Sequence, residues 1–306
     1  MTHVIAIGNF DGVHRGHQAI LAAAREAAGA GTVTALTFWP HPLAVLRPDA
    51  APDLLCDIEE RIGLLHRYGA DDVSIVEFTP GVAALTPEQF VDQVLVPLRP
   101  TAVVVGENFR FGVGARADGV RMAELAGARF SVDVRPMLGE DGPVSSSRIR
   151  TALLAGDPTA AGQMLGRWFR YAGIVILGDQ RGRALGFPTA NLAVPPGKAC
   201  PADGVYAGYL SAGPDRWPAA ISVGTNPTFD AVRRRVEAYA LDETTLKLYG
   251  ERVTVDFVAH VRTQRRFASK EELIEAMTAD VATTRRLLAA ADTPGANAGA
   301  PFGVPH

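Results

Sequence analysis

The first half of the chain alternates two hydrophobic patterns. Short unbroken apolar runs occur at 3–8 (HVIAIG), 33–38 (VTALTF), 73–78 (VSIVEF), 102–106 (AVVVG) and 130–137 (FSVDVRPM). They are rich in β-branched residues and do not alternate, the pattern of strands covered on both faces. Between them the apolar positions recur at helical spacing. Residues 17–28 put Ile20, Leu21, Ala24 and Ala28 on one stripe, and Gly29-Ala30-Gly31 ends the helix. Residues 57–68 and 86–96 read the same way. Strand, helix, strand, repeated, predicts an α/β doubly wound, Rossmann-like parallel sheet, with ligands bound beyond the carboxyl ends of the strands.

Near residue 166 the period changes. Candidate strands crowd together at 171–178, 188–194, 204–211, 218–223, 234–241 and 251–261, separated by Gly, Pro and Asn. Several alternate, as Val253, Val255 and Phe257 do against Thr254 and Asp256. This predicts an antiparallel β-barrel domain. A closing helix is expected from Ser269, with Glu272 completing a capping box and Leu273, Ile274, Met277, Val281 and Leu288 forming its apolar face. We therefore expect domains over 1–166 and 167–290. The tail 291–306 is rich in Ala, Gly and Pro and is expected to be disordered.

At 306 residues, 47% hydrophobic and 21% charged, the chain is long enough for two cores without disulfides or structural metal. Thirty basic against 33 acidic residues give a net charge of −3, which argues against bulk attraction to nucleic acid or an anionic membrane surface. Two distant cysteines, Cys56 and Cys200, rule out a disulfide framework or a Cys-rich zinc module. No apolar run reaches the roughly 20 residues of a membrane span, and the first residues lack a signal-peptide pattern. The expectation is a cytoplasmic protein, with a transient homo-oligomer left open.

The first chemical signal is GNFDGVHRGH, residues 8–17, between the first strand and its helix. Gly8, Gly12 and Gly16 allow close backbone approach, and a helix N-terminus suits phosphate. His14 and His17, three residues apart, project together and can donate to a triphosphate. The P-loop lysine and the GxGxxG pattern are both absent. Capping and surface histidines are the structural alternative. The stretch resembles the HxGH signature of the nucleotidyltransferase superfamily, which implies direct in-line attack on the ATP α-phosphate with loss of pyrophosphate. VSSSRIR, residues 144–150, resembles that superfamily's second ATP motif, with Ser147 where Thr is common. The resemblance implies phosphate contacts from Ser146, Ser147 and Arg150; an ordinary Ser cap with a solvated arginine is the other reading. GENFRFG, residues 106–112, sets Asn108, Phe109 and Phe111 at a strand's carboxyl end, as a flat-ring site or as core aromatics. TFWPHP, residues 37–42, resembles a family turn that usually has an acid where Trp39 stands. His41 is a weak ATP-site candidate.

The second signal is GDQRGRALGFPTANL, residues 178–192. Gly178, Arg183 and Gly186 belong to a glycine-rich loop able to wrap phosphates. Thr189 and Asn191 offer neutral oxygens two residues apart, a plausible Mg²⁺ site beside ATP, although a Pro-Thr-Asn turn alone would suffice for them. DGVYAG (203–208), ISVGTNPTF (221–229) and VEAYALD (236–242) follow in order. Glu237 falls on the face opposite Val236 and Ala238, as a base for an attacking hydroxyl or as a surface glutamate.

The ordered set resembles the riboflavin kinase module. Nearly the whole chain, to about residue 290, is similar to the bacterial bifunctional riboflavin kinase/FAD synthetase family. That resemblance implies two ATP-dependent steps: riboflavin to FMN in the barrel, and FMN to FAD with pyrophosphate release in the α/β domain. It implies Thr189 and Asn191 as Mg²⁺ ligands, Glu237 as kinase base, and His14, His17, Asn108, Ser146, Ser147 and Arg150 as adenylyl-transfer residues. Gly8, Phe10 and Gly16 join the first ATP site, and Phe109 and Phe111 the flavin site. Tyr239 stands where the family often has His. An adenylyltransferase for another phosphate substrate, with a binding-only barrel, and a non-catalytic flavin-binding regulator are the competing readings.

Overall fold

The computed structural model describes residues 2–139, 142–177, 186–225 and 234–291. The chain divides into two compact units, Met1–Ser146 and Ser147–His306. The first unit is a five-stranded parallel sheet in the order β3-β2-β1-β4-β5. Its strands are β1 (His3–Ile7), β2 (Thr32–Trp39), β3 (Asp72–Glu77), β4 (Ala102–Gly106) and β5 (Ser131–Arg135). The central strands β1, β2 and β4 are buried on both faces, as their unbroken apolar runs require. The edge strands β3 and β5 are not. Both mix exposed and half-buried positions, with none fully buried, and Ile75 is left exposed. An edge strand has one neighbour, so apolar residues there need not find cover.

The helices of the first unit are α1 (Arg15–Ala28), α2 (Pro42–Leu46), α3 (Ile58–Arg67), α4 (Pro80–Ala83), α5 (Pro87–Phe90) and α6 (Gly119–Ala126). Helix α1 buries Leu21, Ala24 and Ala28 as expected, with Ala23 added and Ile20 only half-buried. The helix expected over 86–96 is broken instead. Thr86 and Gln89 form a full capping box on α5, but the chain passes to a π-turn at Val91–Leu95 and a 3-10 turn at Val96–Leu98. Pro97 has no N–H for the Gln93 carbonyl, so the α ladder cannot run through. The core behind the sheet gathers Phe38, Phe90, Phe111, Met122 and Phe130.

The second unit opens with α7 (Ser146–Leu154) and α8 (Pro158–Leu165) and continues as a closed antiparallel barrel, β10-β7-β6-β11-β8-β9. Its strands are β6 (Phe169–Ile176), β7 (Ala190–Ala193), β8 (Gly204–Ala212), β9 (Asp215–Thr225), β10 (Arg234–Ala240) and β11 (Arg252–Arg262). Leu192, Val223, Val236, Ala238 and Val255 fill the interior. Helix α9 (Lys270–Ala291) closes the fold.

Two details of α9 differ from expectation. Ser269 Oγ accepts from the Glu272 N–H (3.1 Å), but Glu272 reaches back to the Ala268 N–H (2.9 Å), one residue before the cap. The buried stripe is Ala276, Asp280, Thr284 and Leu288, while Leu273, Ile274, Met277 and Val281 are half-buried. A carboxylate can occupy that stripe because Arg262 of β11 meets Asp280 through two 2.8 Å hydrogen bonds. Of the tail 291–306, all but Ala291 lies outside the described residues.

Candidate active sites

The phosphate turn of the first unit leaves β1 at Ile7 and enters α1 at Arg15. Its backbone takes left-handed angles at Phe10 (φ 50°), Gly12 (φ 78°) and Val13 (φ 38°). Side chains at Phe10 and Val13 make those angles costly, and complete burial of both residues holds them there. The turn ends on His14, the cap of α1. Its Nδ1 accepts the His17 N–H (3.3 Å), so a neutral His14 carries its proton on Nε2. The two imidazoles stack at 3.6 Å and 17°, and Phe10 meets His17 edge-on at 5.1 Å. The histidines therefore project together. Gly8 and Gly16 leave room for these rings: a Cβ at Gly8 would lie 3.2 Å from Phe10, and one at Gly16 would lie 3.2 Å from His14.

Beneath the turn lies a buried ionic cluster. Asp11 is 1% exposed and Arg61 of α3 is not exposed at all. Their charges stand 3.7 Å apart. Asp11 Oδ1 also accepts the N–H groups of Leu55 (3.0 Å) and Cys56 (3.4 Å), while Cys56 Sγ accepts the Gly12 N–H (3.1 Å). Burial, and secondarily the charges of Asp11 and Glu60, push the Cys56 thiol up to about 12, so it stays protonated at neutral pH. Arg61 donates to Thr37 Oγ1 (3.4 Å) and the Phe38 carbonyl (3.3 Å), with the Trp39 ring 5.5 Å from its guanidinium carbon. Replacing Arg61 by Met would strand the Asp11 carboxylate. Breaking a buried pair from one side costs about 3–5 kcal/mol. We expect the first unit to unfold at distinctly lower urea, which a denaturation curve read by circular dichroism would show.

The other residues singled out in the sequence lie on separate segments. Ser146 Oγ donates to the Asp11 carbonyl (2.9 Å), which ties the second motif to the phosphate turn. Ser147, exposed, and Arg150, half-buried, follow on α7 in the second unit. The strand order reverses between β1 and β4, and the segments after these two strands flank that crevice. Asn108 is exposed there. A Cβ on Gly106 would lie 2.9 Å from Asn108 Oδ1 and 3.4 Å from Ile20 of α1. Phe109 is half-buried and stacks on Phe111 at 5.8 Å. Phe111 is 6% exposed and packs on Phe90 at 5.3 Å, so its ring belongs to the core and backs Phe109 from within. His41 caps α2, its Nδ1 accepting the Leu43 N–H (3.2 Å).

In the barrel, Glu237 pairs directly with Asn191 across β10 and β7. Directly opposed residues share a face, so Glu237 and Asn191 lie on the outer face and Val236 and Ala238 on the inner. Asn191 Nδ2 donates to Thr189 Oγ1 and to the Thr189 carbonyl, both at 3.1 Å. That orientation leaves the amide oxygen available to a cation, beside a hydroxyl oxygen and across from a carboxylate. Magnesium takes such oxygen ligands. A cavity of about 490 Å³ opens beside Thr189 and Asn191, walled also by Leu177, Ala238, Lys247 and Tyr249. Gly186 enters this region at φ 87°. Gly178 and Arg183 lie outside the described residues.

Comparison with known proteins matches residues 1–148 to the FAD synthetase family and residues 165–288 to the riboflavin kinase family. The bifunctional riboflavin kinase/FMN adenylyltransferase of Escherichia coli (strain K12) is 36% identical, over 92% of this chain and 91% of that protein. The chain belongs to the bifunctional riboflavin kinase/FMN adenylyltransferase family. The Bacillus subtilis (strain 168) member is 33% identical over 90% of both chains. A solved structure described as a macrolide-efflux protein from Streptococcus pneumoniae superposes with a TM-score of 0.85. It is 31% identical and covers 93% of this chain and 94% of that one. As a family member the chain is an ATP-using enzyme with kinase and nucleotidyltransferase domains. Among the described residues no helix is long and apolar enough to cross a membrane.

Sequence reasoning missed two groups at these sites. Asp11 sits inside the quoted phosphate motif, yet only the fold brings Arg61 and Cys56 beneath it. The available signal was Arg61 itself, a lone cation on the Leu64–Leu65 stripe of α3. The other group is Ser222 with Gln264: Ser222 falls inside the quoted ISVGTNPTF stretch, but only strand register sets it opposite Glu237 and only the fold brings Gln264 to it.

Proposed function

We propose that the chain divides its chemistry by region, with adenylyl transfer assigned to residues 1–166 and riboflavin phosphorylation to 167–290. The observation that carries this reading is the pair of separate constellations: stacked His14 and His17 at a helix N-terminus, and Asn191 opposite Glu237 on the barrel. In the first, the Nε2 proton of His14, the α1 N-terminus and Gly8, Phe10, Gly16 and Ser146 bind the ATP phosphates. Asn108 and Phe109, backed by Phe111, hold the flavin, and the FMN phosphate attacks the α-phosphorus in line. Positioning and charge stabilisation suffice; no covalent enzyme intermediate is required.

In the second, ATP occupies the cavity, with its phosphates toward Thr189 and Asn191; Gly178, Arg183 and Gly186 of the glycine-rich stretch are assigned to phosphate binding. Thr189 Oγ1 and Asn191 Oδ1 would hold Mg²⁺, which when bound neutralises phosphate charge. Glu237, flanking Asn191 from the next strand, takes the proton of the riboflavin 5′-hydroxyl. The protein works in the cytoplasm on small molecules, not on nucleic acid or membranes, and any self-association is transient.

Purified protein given riboflavin, ATP and Mg²⁺ should accumulate FMN and then FAD, followed by chromatography. An adenylyltransferase for another phosphate substrate, with a binding-only barrel, would make neither FMN from riboflavin nor FAD from FMN. A regulator would bind FMN without turnover.

A further inference from the structure

Arg61 of α3 reaches the phosphate turn along two arms. One is ionic: Nη2 stands 3.7 Å from Asp11 Oδ1. The other runs through Thr37 of β2, which is as fully buried as Arg61 itself. Arg61 Nη1 donates to Thr37 Oγ1 (3.4 Å), and Thr37 Oγ1 donates in turn to the Asn9 carbonyl (3.0 Å). A hydroxyl has one proton and two lone pairs, so Thr37 serves both contacts at once. The arms end on residues 9 and 11, one on either side of Phe10.

Phe10 is the residue that needs holding. Its φ of 50° is left-handed, a region that a phenylalanine leaves when its neighbours allow. Its ring is buried and meets His17 edge-on at 5.1 Å, and His17 stacks on His14 at 3.6 Å. Rotation of the Phe10 backbone toward negative φ would swing that ring off His17. A buried ion pair adds little net stability, because desolvation offsets its attraction. What the Arg61 pair adds here is a single backbone conformation beside the histidines. We infer that Arg61 and Thr37 are positioning residues for adenylyl transfer: by fixing the backbone on both sides of Phe10 they hold its ring against His17 and keep His17 stacked on His14. The inference rests on His17 being an adenylyl-transfer residue. Residue 11 has further holds, from the Leu55 and Cys56 N–H groups and from Ser146 Oγ. The Thr37 arm is therefore the one to cut.

The test compares full-length parent, Thr37→Val, Thr37→Ser and Arg61→Lys, with Thr37→Val also made in the His17→Ala background. FMN adenylylation gives kcat and KM, circular dichroism gives the thermal midpoint, and riboflavin phosphorylation is the internal control. Valine keeps the shape of Thr37 but neither donates nor accepts. Misplacing a reacting group by about 1 Å costs up to about 100-fold, and loosening one arm should lower kcat by about tenfold. KM for ATP and FMN should stay within about twofold of the parent, the split left by an interaction expressed in the transition state. Serine keeps the hydroxyl and should restore kcat. Lysine keeps the charge facing Asp11 but has no planar fork to serve both arms, so it should lose kcat as valine does. In His17→Ala protein, adding Thr37→Val should cost nothing further, because the group it positions is gone. A parent-like kcat in Thr37→Val, with or without a lowered midpoint, overturns the inference. So does failure of Thr37→Ser to recover kcat, or a further loss of about tenfold when Thr37→Val is added to His17→Ala. A parent-like kcat in Arg61→Lys overturns the part assigned to Arg61. Parent-like adenylylation in His17→Ala is a different failure, that of the site assignment, and is read from that variant alone.

Discussion

Glu237→Gln protein should convert FMN to FAD at the parental rate while losing riboflavin phosphorylation by about 10²–10⁴-fold, the usual contribution of a general base. The substitution keeps shape and hydrogen-bonding capacity but removes the group that accepts a proton. Glu237 is half-buried on the outer face of β10, between Asn191 and Ser222, and its neighbours Val236 and Ala238 carry the packing. Stability should therefore hardly change, within about 0.5 kcal/mol as for surface positions. Product analysis from riboflavin and, separately, from FMN checks both halves. A surface glutamate would leave both steps intact. A Gln variant that is folded yet loses both activities would show that the two steps do not use separate sites.

The complementary result is expected from His14→Ala and His17→Ala. Each should lower FMN adenylylation by about 10²–10³-fold, the cost of removing one preorganised donor at developing charge, and leave riboflavin phosphorylation unchanged. The double variant should lose less than the product of the two, because the rings stack at 3.6 Å and His14 accepts the His17 backbone N–H. Pyrophosphate release measured with FMN and ATP gives the first quantity, and FMN formed from riboflavin gives the second. His14 also caps α1, so part of its effect is structural. An N-cap loss amounts to about 1 kcal/mol and is separated by the thermal midpoint. His14→Asn, which keeps a cap acceptor but not the imidazole, should restore the midpoint and not the activity.

The elements with a strong period were legible in the chain. The apolar runs at 3–8, 33–38 and 102–106 became β1, β2 and β4, and the crowded strands after 166 closed into the barrel. The pairing of His14 and His17 was legible because one short segment, GNFDGVHRGH, carries both to the start of α1. The misses share a cause. Exposure of β3 and β5 depends on their place at the sheet edge, which no local window contains. The stripe on α9 rotated because Arg262, eighteen residues before Asp280, makes a buried carboxylate tolerable there. For Phe111 the sequence left a flat-ring site and a core place both open, and its packing on Phe90 puts the ring in the core.

Local sequence by itself determined most of the strands and helices and brought His14 and His17 together at the start of α1. Hydrophobic period, glycine placement and cap residues act over a few positions. Only the tertiary structure decided which side chains stand together. It set Arg61 under Asp11, joined Ser146 to the Asp11 carbonyl, and aligned Asn191, Glu237 and Ser222 across three strands. Those neighbours lie tens of residues apart or more in the chain. Strand order and register bring them together, and these are set by burial of the whole sheet and barrel rather than by any one segment.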